Sequence, residues 1–523
     1  MLPYLTCRSR STITDGVGNI LERHDSKLAG VLHCFDRLVL HGSLANLGYA
    51  GGMSAYLRRH DIRIFDYKKF AAPLRDQIRA NAEKRAKEAG LKIEFVRKLK
   101  GVRKEKLVRG YLADRGDQPG LVCILSAMET CKSYQPWHDK QSKKTYLKPT
   151  QGKCLHYYFY FIDSDLGLCY LRVPTWCPFR LQFYFNGHNW LASKLRNADI
   201  GYEMRDNAFV SLSDVETAQT LADDFPVDVL LKKLNYYARK MCPVSKQLDV
   251  DYLWGIHQAE YSTDLIFKRQ LDLKPLYEHL VRTAVHAVKA ENVATFLGRK
   301  LNGNYRDELG NDFSRRILGT RIKHSMGKAS IKMYDKCGLV LRIETTVNDV
   351  SFFKHHRMVC HANGERTFKL APMRKHIYSL APDLQKLLFA CNRRYLEFLS
   401  QLEDPTPNLR ALDKVTASRK SNGRTYRGFN FFQSQDRRLF EVLLRGEFNI
   451  SGFRNRDIRQ HLPELSTSQT SHRIKRLRVH GLLKKVGGTY KYYLTSFGRR
   501  VVTAALRLRE TVVLPLLAVP STA

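Results

Sequence analysis

The chain is short of negative charge: among its 523 residues, 50 Asp and Glu stand against 88 Lys and Arg, a formal net charge of +38. A folded protein tolerates that self-repulsion most readily beside a polyanion, so nucleic acid is the expected partner. Paired cysteines are also missing. The 11 cysteines (Cys7, Cys34, Cys123, Cys131, Cys154, Cys169, Cys177, Cys242, Cys337, Cys360, Cys391) are odd in number, scattered, and contain no Cys-x-x-Cys. This argues against a disulfide framework or a zinc ribbon and for reduced thiols in a cytoplasm. No apolar run is long enough to span a bilayer, the start MLPYLTCRSRS has no apolar signal core, and the apolar end at 512–519 is short. The expectation is a soluble cytoplasmic protein without a membrane partner. Neither a Walker lysine loop nor a Rossmann glycine fingerprint occurs, so ATP and NAD have no motif here. The histidines at 138, 355–356 and 361 lack the spacing of a structural metal site.

What is present is enough to fold, with 43% hydrophobic and 11% aromatic residues. The basic excess is spread along the chain: residues 414–523 carry +16, leaving +22 on the rest. The expected fold class is α+β, multidomain. Apolar runs at 31–40, 62–65, 93–96 and 121–125, alternating with a charged helical pattern at 67–89, predict a small α/β domain over 1–135. A basic mixed α+β body should follow over 136–403, with an exposed Lys-rich stretch at 140–153, an aromatic hairpin turning at 163–167, helices through 227–301 and a second hairpin at 331–345. Residues 404–430 read as a basic linker, and 511–523 as a tail.

Between linker and tail, over 431–510, the punctuation is regular: helix 434–445, helix 455–462, turn 463–468, helix 469–480, Gly481, then strands 482–486 and 490–494 joined by Gly487-Gly488-Thr489. Ser466, Thr467 or Ser468 can cap the third helix, with Ile474 and Leu477 inward and His472, Arg473, Lys475 and Arg476 left to solvent. Lys484, Lys485 and Lys491 flank the glycine turn. The run RLRVHGLLKKVGGTYKYYLTSFGRRV resembles the winged helix-turn-helix DNA-binding domain of bacterial regulators. The resemblance implies a recognition helix in the major groove of duplex DNA and a hairpin wing on the phosphates. Such modules serve repressors, replication initiators and transposases, and in some proteins only protein contacts.

Chemistry has two candidate seats. In SIKMYDKCGLVLRIETT (330–346), a three-residue loop Cys337-Gly338-Leu339 pairs Tyr334 with Arg342 and Lys332 with Glu344. Ile331, Met333, Leu341 and Ile343 then share one face, and Lys332, Tyr334, Lys336, Arg342 and Glu344 the other. A phenol between cations beside a carboxylate suits phosphodiester transfer, and an ordinary basic strand surface is the alternative. The hairpin resembles the Tyr-Asp-Lys…Arg-x-Glu hairpin of rolling-circle replication initiators. The second seat is a two-metal site for Mg²⁺ or Mn²⁺ built from strand-end carboxylates: Asp36, Glu129 and Asp163, with Asp165 beside the last, and Glu260 and Asp264 on one helical face. Aromatics on both faces of 157–161, near Arg172, Arg180, His188 and Trp190, can stack unpaired bases or simply be core. Arg321 and Lys323, in a basic loop over 319–328, are candidate phosphate contacts. Together these features predict a DNA-processing protein of mobile-element or plasmid type, such as a transposase, recombinase or replication initiator. A non-catalytic winged-helix transcriptional regulator is the alternative, and charge alone does not separate RNA from DNA as the body's partner.

Overall fold

The computed structural model of the chain describes residues 20–96, 104–116, 118–299, 309–316, 319–361, 363–403, 414–445, 447–448 and 452–508. It is a mixed α and β structure with a large mixed sheet, and it divides into two compact units, each discontinuous in sequence. The first comprises Met1–Ala29, Leu265–Ile343 and Ala390–Ala523, the second Gly30–Asp264 and Glu344–Phe389. No helix among the described residues is long and apolar enough to cross a membrane. None of the described cysteines is in a disulfide.

The second unit is built on strands β1 (Leu28–Leu44), β2 (Ile93–Phe95), β3 (Gly120–Asp139), β4 (Lys144–Asp163), β5 (Gly167–Pro174) and β6 (Leu181–Asn186), with a small separate pair β7 (Tyr202–Arg205) and β8 (Ala208–Leu212), and then β9 (Tyr252–Phe267). Their order is β9-β1-β6-β5-β4-β3-β2, in which β2 and β3 pair in parallel and β3 through β6 and β1 pair antiparallel. Helices α1 (Ala50–Arg59), α2 (Tyr67–Glu88), α3 (Lys104–Arg115), α4 (Gly187–Asn197), α5 (Val215–Asp223) and α6 (Val227–Met241) accompany it. Asp163 pairs with Gly167, as the aromatic hairpin requires.

Several expectations for this body need correction. Residues 140–153 are mostly exposed, as expected, and from Lys144 onward they are the strand β4, paired with β3. The expected boundary at 135/136 falls inside β3. Tyr157, Tyr158, Phe159, Tyr160 and Phe161 are all buried, because α3 covers one face with Val108 and the Tyr237 ring of α6 approaches Phe161 to 4.2 Å on the other. His188 and Trp190 are buried too, so this sheet is core on both sides and no platform for bases. The stretch 227–301 is interrupted by β9, where Tyr252, Trp254 and Ile256 alternate inward at the period of a strand.

In the first unit, β10 (Leu309–Arg316), β11 (Gly319–Met326), β12 (Ala329–Lys336) and the start of β13 (Val340–Val347, of which Glu344 onward belongs to the second unit) follow one another in sheet order. Residues 319–326 are therefore a strand and not the loop expected; Lys323 lies opposite Lys332, and Arg321 and Lys323 are half-buried. The β12–β13 loop is Cys337-Gly338-Leu339 as read from sequence, with Cys337 and Gly338 at positive φ (59° and 74°) and Asp335 Oδ1 accepting from the Gly338 amide at 2.9 Å. α7 (Gln270–Ala287), α8 (Ala290–Phe296) and α9 (Gln385–Glu403) pack on this unit, where Tyr395 of α9 reaches His324 Nε2 at 3.0 Å.

The C-terminal part of the first unit has its own core. β16 (Arg419–Ser421) and β17 (Arg424–Tyr426), which follow the exposed hairpin β14 (Lys354–Cys360) and β15 (Arg366–Pro372) of the second unit, precede α10 (Ser434–Leu443), α11 (Asn455–Arg459), α12 (Thr467–Val479), β18 (Leu483–Lys485), β19 (Tyr492–Leu494) and α13 (Ser496–Leu508). Leu439, Phe440, Phe453, Ile458, Ile474, Leu477, Leu482 and Val501 form this core, each contributing about 1.5–3 kcal/mol by leaving water. Val415 and Phe429 belong to it, so residues 414–430 are packed structure and not linker. The expected linker residues 404–413 and tail 511–523 lie outside the described residues. Gly498 permits α13 to close: a Cβ there would sit 2.2 Å from the Leu482 carbonyl oxygen.

Candidate metal centre and basic surface

Three carboxylates from three strands meet in the second unit. Asp36 of β1, Glu260 of β9 and Glu344 of β13 each place an oxygen within 4.8 Å of the others. β1 and β9 run antiparallel, since His33 meets Thr263, Phe35 meets Tyr261 and His41 meets His257 in descending order. Alternation then sets Tyr261 and Thr263 against those partners and leaves Glu260, Ser262 and Asp264 on the other face. Asp36 and Glu344 are buried and Glu260 is half-buried. Thr346 Oγ1 donates to Glu260 Oε1 at 3.2 Å and approaches Glu344 Oε1 at 3.4 Å.

Asp36 is held by amides. Asn186 Nδ2, at the end of β6, and Asn207 Nδ2, in the β7–β8 turn, each donate to its Oδ1 at 2.6 Å. Asn186 is fixed in turn because its Oδ1 caps α4, accepting from the backbone N–H of His188 at 2.8 Å. The next residue, Gly187, lets α4 begin against β1: a Cβ there would stand 2.1 Å from the Phe35 carbonyl oxygen. The buried His188 ring lies between two carboxylates, Nδ1 3.4 Å from Asp36 and Nε2 3.4 Å from Asp264. Hard oxygen donors from three acidic side chains, one oriented by outer amides, match what Mg²⁺ or Mn²⁺ takes.

Of the carboxylates named from sequence, Asp36, Glu260 and Glu344 are in this cluster, whereas Glu129 and Asp163 are not, because each already has its own cation. Glu129 accepts from Lys104 (2.6 Å), Tyr158 (2.7 Å) and Arg172 (2.8 Å). Burial would raise its pKa, but these hydrogen bonds hold it at about 2. Asp163 is buried against Lys233 (2.8 Å) and Tyr237 (2.6 Å), also accepts from the amides of Asp165 and Leu166, and sits below the usual carboxylate range for that reason, despite burial. Glu260 and Asp264 do share a face, but of a strand. The aromatic alternation of β9 is the sequence signal for the position of Glu260 in this cluster.

The strand β13 is buried throughout, whereas Lys332 and Lys336 of β12 are half-buried. Arg342 is 0% exposed and Tyr334 7%.

On the C-terminal bundle, α12 is capped by Ser466, which accepts from the Gln469 amide (3.2 Å), with Gln469 Oε1 returning to the Ser466 amide (2.9 Å). Ile474 and Leu477 face the core as expected, and His472 is exposed, its ring 5.9 Å from Tyr426. Arg473 and Lys475 are half-buried at the surface, Arg473 reaching Gln435. Arg476 departs from expectation. It is bound to Asp436 (2.8 and 3.0 Å) and to the carbonyls of Arg427 and Gly428, over the Phe429 ring, so it is an internal clamp and not a free cation. Lys484 and Lys485 are exposed and Lys491 half-exposed around the Gly488 turn, and Tyr490 at its tip is 79% exposed. Compared with known proteins, this chain matches no family model, no curated protein and no solved structure.

Proposed function

We propose that the chain is a DNA-processing enzyme of mobile-element or plasmid type, which cuts or transfers a phosphodiester at a divalent-metal centre and holds DNA through its basic body and C-terminal winged helix. The observation that carries this reading is the convergence of Asp36, Glu260 and Glu344 within 4.8 Å, two of them buried, in a chain of net charge +38. Three carboxylate oxygens converging in one place are a ligand set suited to a hard divalent cation. Mg²⁺ or Mn²⁺ there supplies Lewis-acid polarisation of the phosphodiester and charge neutralisation. Asp36, Glu260 and Glu344 offer the oxygen ligands, and Asn186 and Asn207 keep Asp36 in one rotamer. Tyr334, in the first unit, is a separate candidate nucleophile named from the Tyr-Asp-Lys…Arg-x-Glu sequence alone. Attack of its oxygen on phosphorus would form a tyrosyl phosphodiester and release the other strand end as a hydroxyl, the phenolic proton passing to that leaving oxygen through solvent or a base.

The order of α10, α11, α12, β18, β19 and α13 supports the winged-helix part of the proposal. α12 is the helix for the groove, with His472, Arg473 and Lys475 outward, and Lys484, Lys485 and Lys491 are the wing cations. The same order favours the second reading, a non-catalytic regulator of transcription. End-labelled single-stranded, duplex and hairpin DNA incubated with the protein and Mn²⁺, and resolved on a denaturing gel, separates them. Cleavage lost in Asp36→Asn and Glu344→Gln supports the enzyme, and a protein-linked strand lost in Tyr334→Phe supports the tyrosine. Intact DNA in every pool with salt-sensitive duplex binding refutes catalysis and leaves the regulator.

A further inference from the structure

One face of α6 in the second unit is buried in the core and another is turned to solvent, reaching the core where Asn235 Oδ1 accepts from the buried Trp254 indole at 2.9 Å. Leu230, Leu234, Ala238 and Met241 are buried. Lys232, Asn235, Tyr236, Arg239 and Lys240, at positions i, i+3, i+4, i+7 and i+8, form a stripe that lines an open groove of about 670 Å³, closed on its far side by Arg85 of α2. The two helices are tied beneath it by Asn81, whose Nδ2 donates to the carbonyls of Lys240 (3.3 Å) and Met241 (3.0 Å).

The lining is basic with one large ring in it. Arg85 and Arg239 make exposed pairs with Glu88 (2.8 Å) and Asp251 (3.1 Å), of the kind a competing anion readily displaces. Among the described residues no carboxylate lies within the 4.0 Å ion-pair distance of Lys232 or Lys240. Tyr236 is 56% exposed, and Lys240 Nζ stands 3.3 Å from its hydroxyl and 5.4 Å from its ring centre. An aromatic ring left in water between cations is costly for the fold alone and useful to a ligand with both a flat face and phosphates.

We propose that this groove binds single-stranded nucleic acid, with a base stacked on Tyr236 and phosphates on Lys232, Arg239 and Lys240. This rests on the reading of the chain as a DNA-processing protein and adds where an unpaired strand is held. A paired base has no free face to offer the ring, whereas an unpaired one does. Nine residues of helix span about 12 Å, the length of a short run of nucleotides.

The test is fluorescence anisotropy of the full chain with a labelled 12-nucleotide mixed-sequence single strand and with its duplex, over a salt series. Tyr236→Ala should weaken single-strand binding by about 5- to 100-fold, the range of one lost base stack, and leave duplex binding within about twofold. Tyr236→Phe should bind like wild type. Lys232→Ala with Arg239→Ala should lower the slope of log K against log salt by about 1.4 for the single strand. Crosslinking of a bromodeoxyuridine-substituted strand to Tyr236 would support the site directly. Unchanged single-strand affinity in these variants, with wild type still binding, overturns the groove alone. Equal losses for single strand and duplex overturn its selectivity. A wild-type protein that binds neither overturns the underlying functional reading.

Discussion

If the Asp36, Glu260 and Glu344 carboxylates hold a metal as proposed, removing one should make the metal-free protein more stable, because like charges within 4.8 Å repel. At the outer limit of the cluster, 4.8 Å, two unit negative charges repel by about 3.5 kcal/mol at an effective dielectric constant of about 20. The amides of Asn186 and Asn207 offset part of this at Asp36, so Glu344→Gln, which leaves those bonds intact, should give the largest relief, about 1–3 kcal/mol. In a unit of this size that raises Tm by roughly 2–8 °C in EDTA. Mn²⁺ at about one hundred times its Kd should add about 2.7 kcal/mol to wild type and nothing to the variant, so the order of stability shrinks or reverses with metal. Differential scanning calorimetry at constant ionic strength reads both. A Glu344→Gln protein less stable than wild type in EDTA, or one with an undiminished Mn²⁺ shift, would refute the argument.

Glu129 has a folded pKa of about 2 against an ordinary value of 4.5. Because the folded value is the lower, its stabilisation, at most about 3 kcal/mol, is present above pH ~4.5 and lost as the pH falls toward 2. The stability gap between wild type and Glu129→Gln should therefore narrow over that interval in urea titrations. Arg476→Ala leaves Asp436 buried without its cation and should cost about 3–5 kcal/mol, whereas Lys475→Ala should change DNA affinity and not the urea midpoint. Gly187→Ala drives a methyl group into the Phe35 carbonyl, 2.1 Å away. It should lower Tm and also weaken Mn²⁺ binding, since it displaces the cap that orients Asn186; calorimetric titration with unchanged Mn²⁺ affinity would count against that link.

Local pattern made much of the chain legible. The C-terminal helices, the 337–339 loop and the hairpin turning at Asp163 follow from capping residues, glycines and alternation. The site was legible only in pieces. Asp36 was assigned to a metal cluster and Glu344 to a phosphotransfer hairpin, and what joins them with Glu260 is the adjacency of β13, β9 and β1 in the sheet, which no local spacing encodes. Glu260 was further hidden because residues four apart share a face in helix and strand alike. Arg476 misled for a different reason: its outward position on α12 was right by periodicity, but the neighbouring Asp436 drew it inward.

The first unit gathers segments from the beginning, middle and end of the chain, and its closure carries a cost in the timing of synthesis. The Ile20 amide donates to Ser400 Oγ at 3.1 Å, and Arg23 Nη2 to the Ser400 carbonyl at 2.8 Å, across 380 and 377 residues. Closing such a loop from an open chain costs about 5 kcal/mol in chain entropy. On the ribosome those early residues must wait for α9 to emerge, about 20–80 s at roughly 5–20 residues per second. In that interval the second unit can assemble most of its own sheet, and a nascent chain stopped before residue 390 can seat its opening segment on residues 267–268, where Lys27 and Ser26 meet Lys268, but lacks the Ser400 contacts.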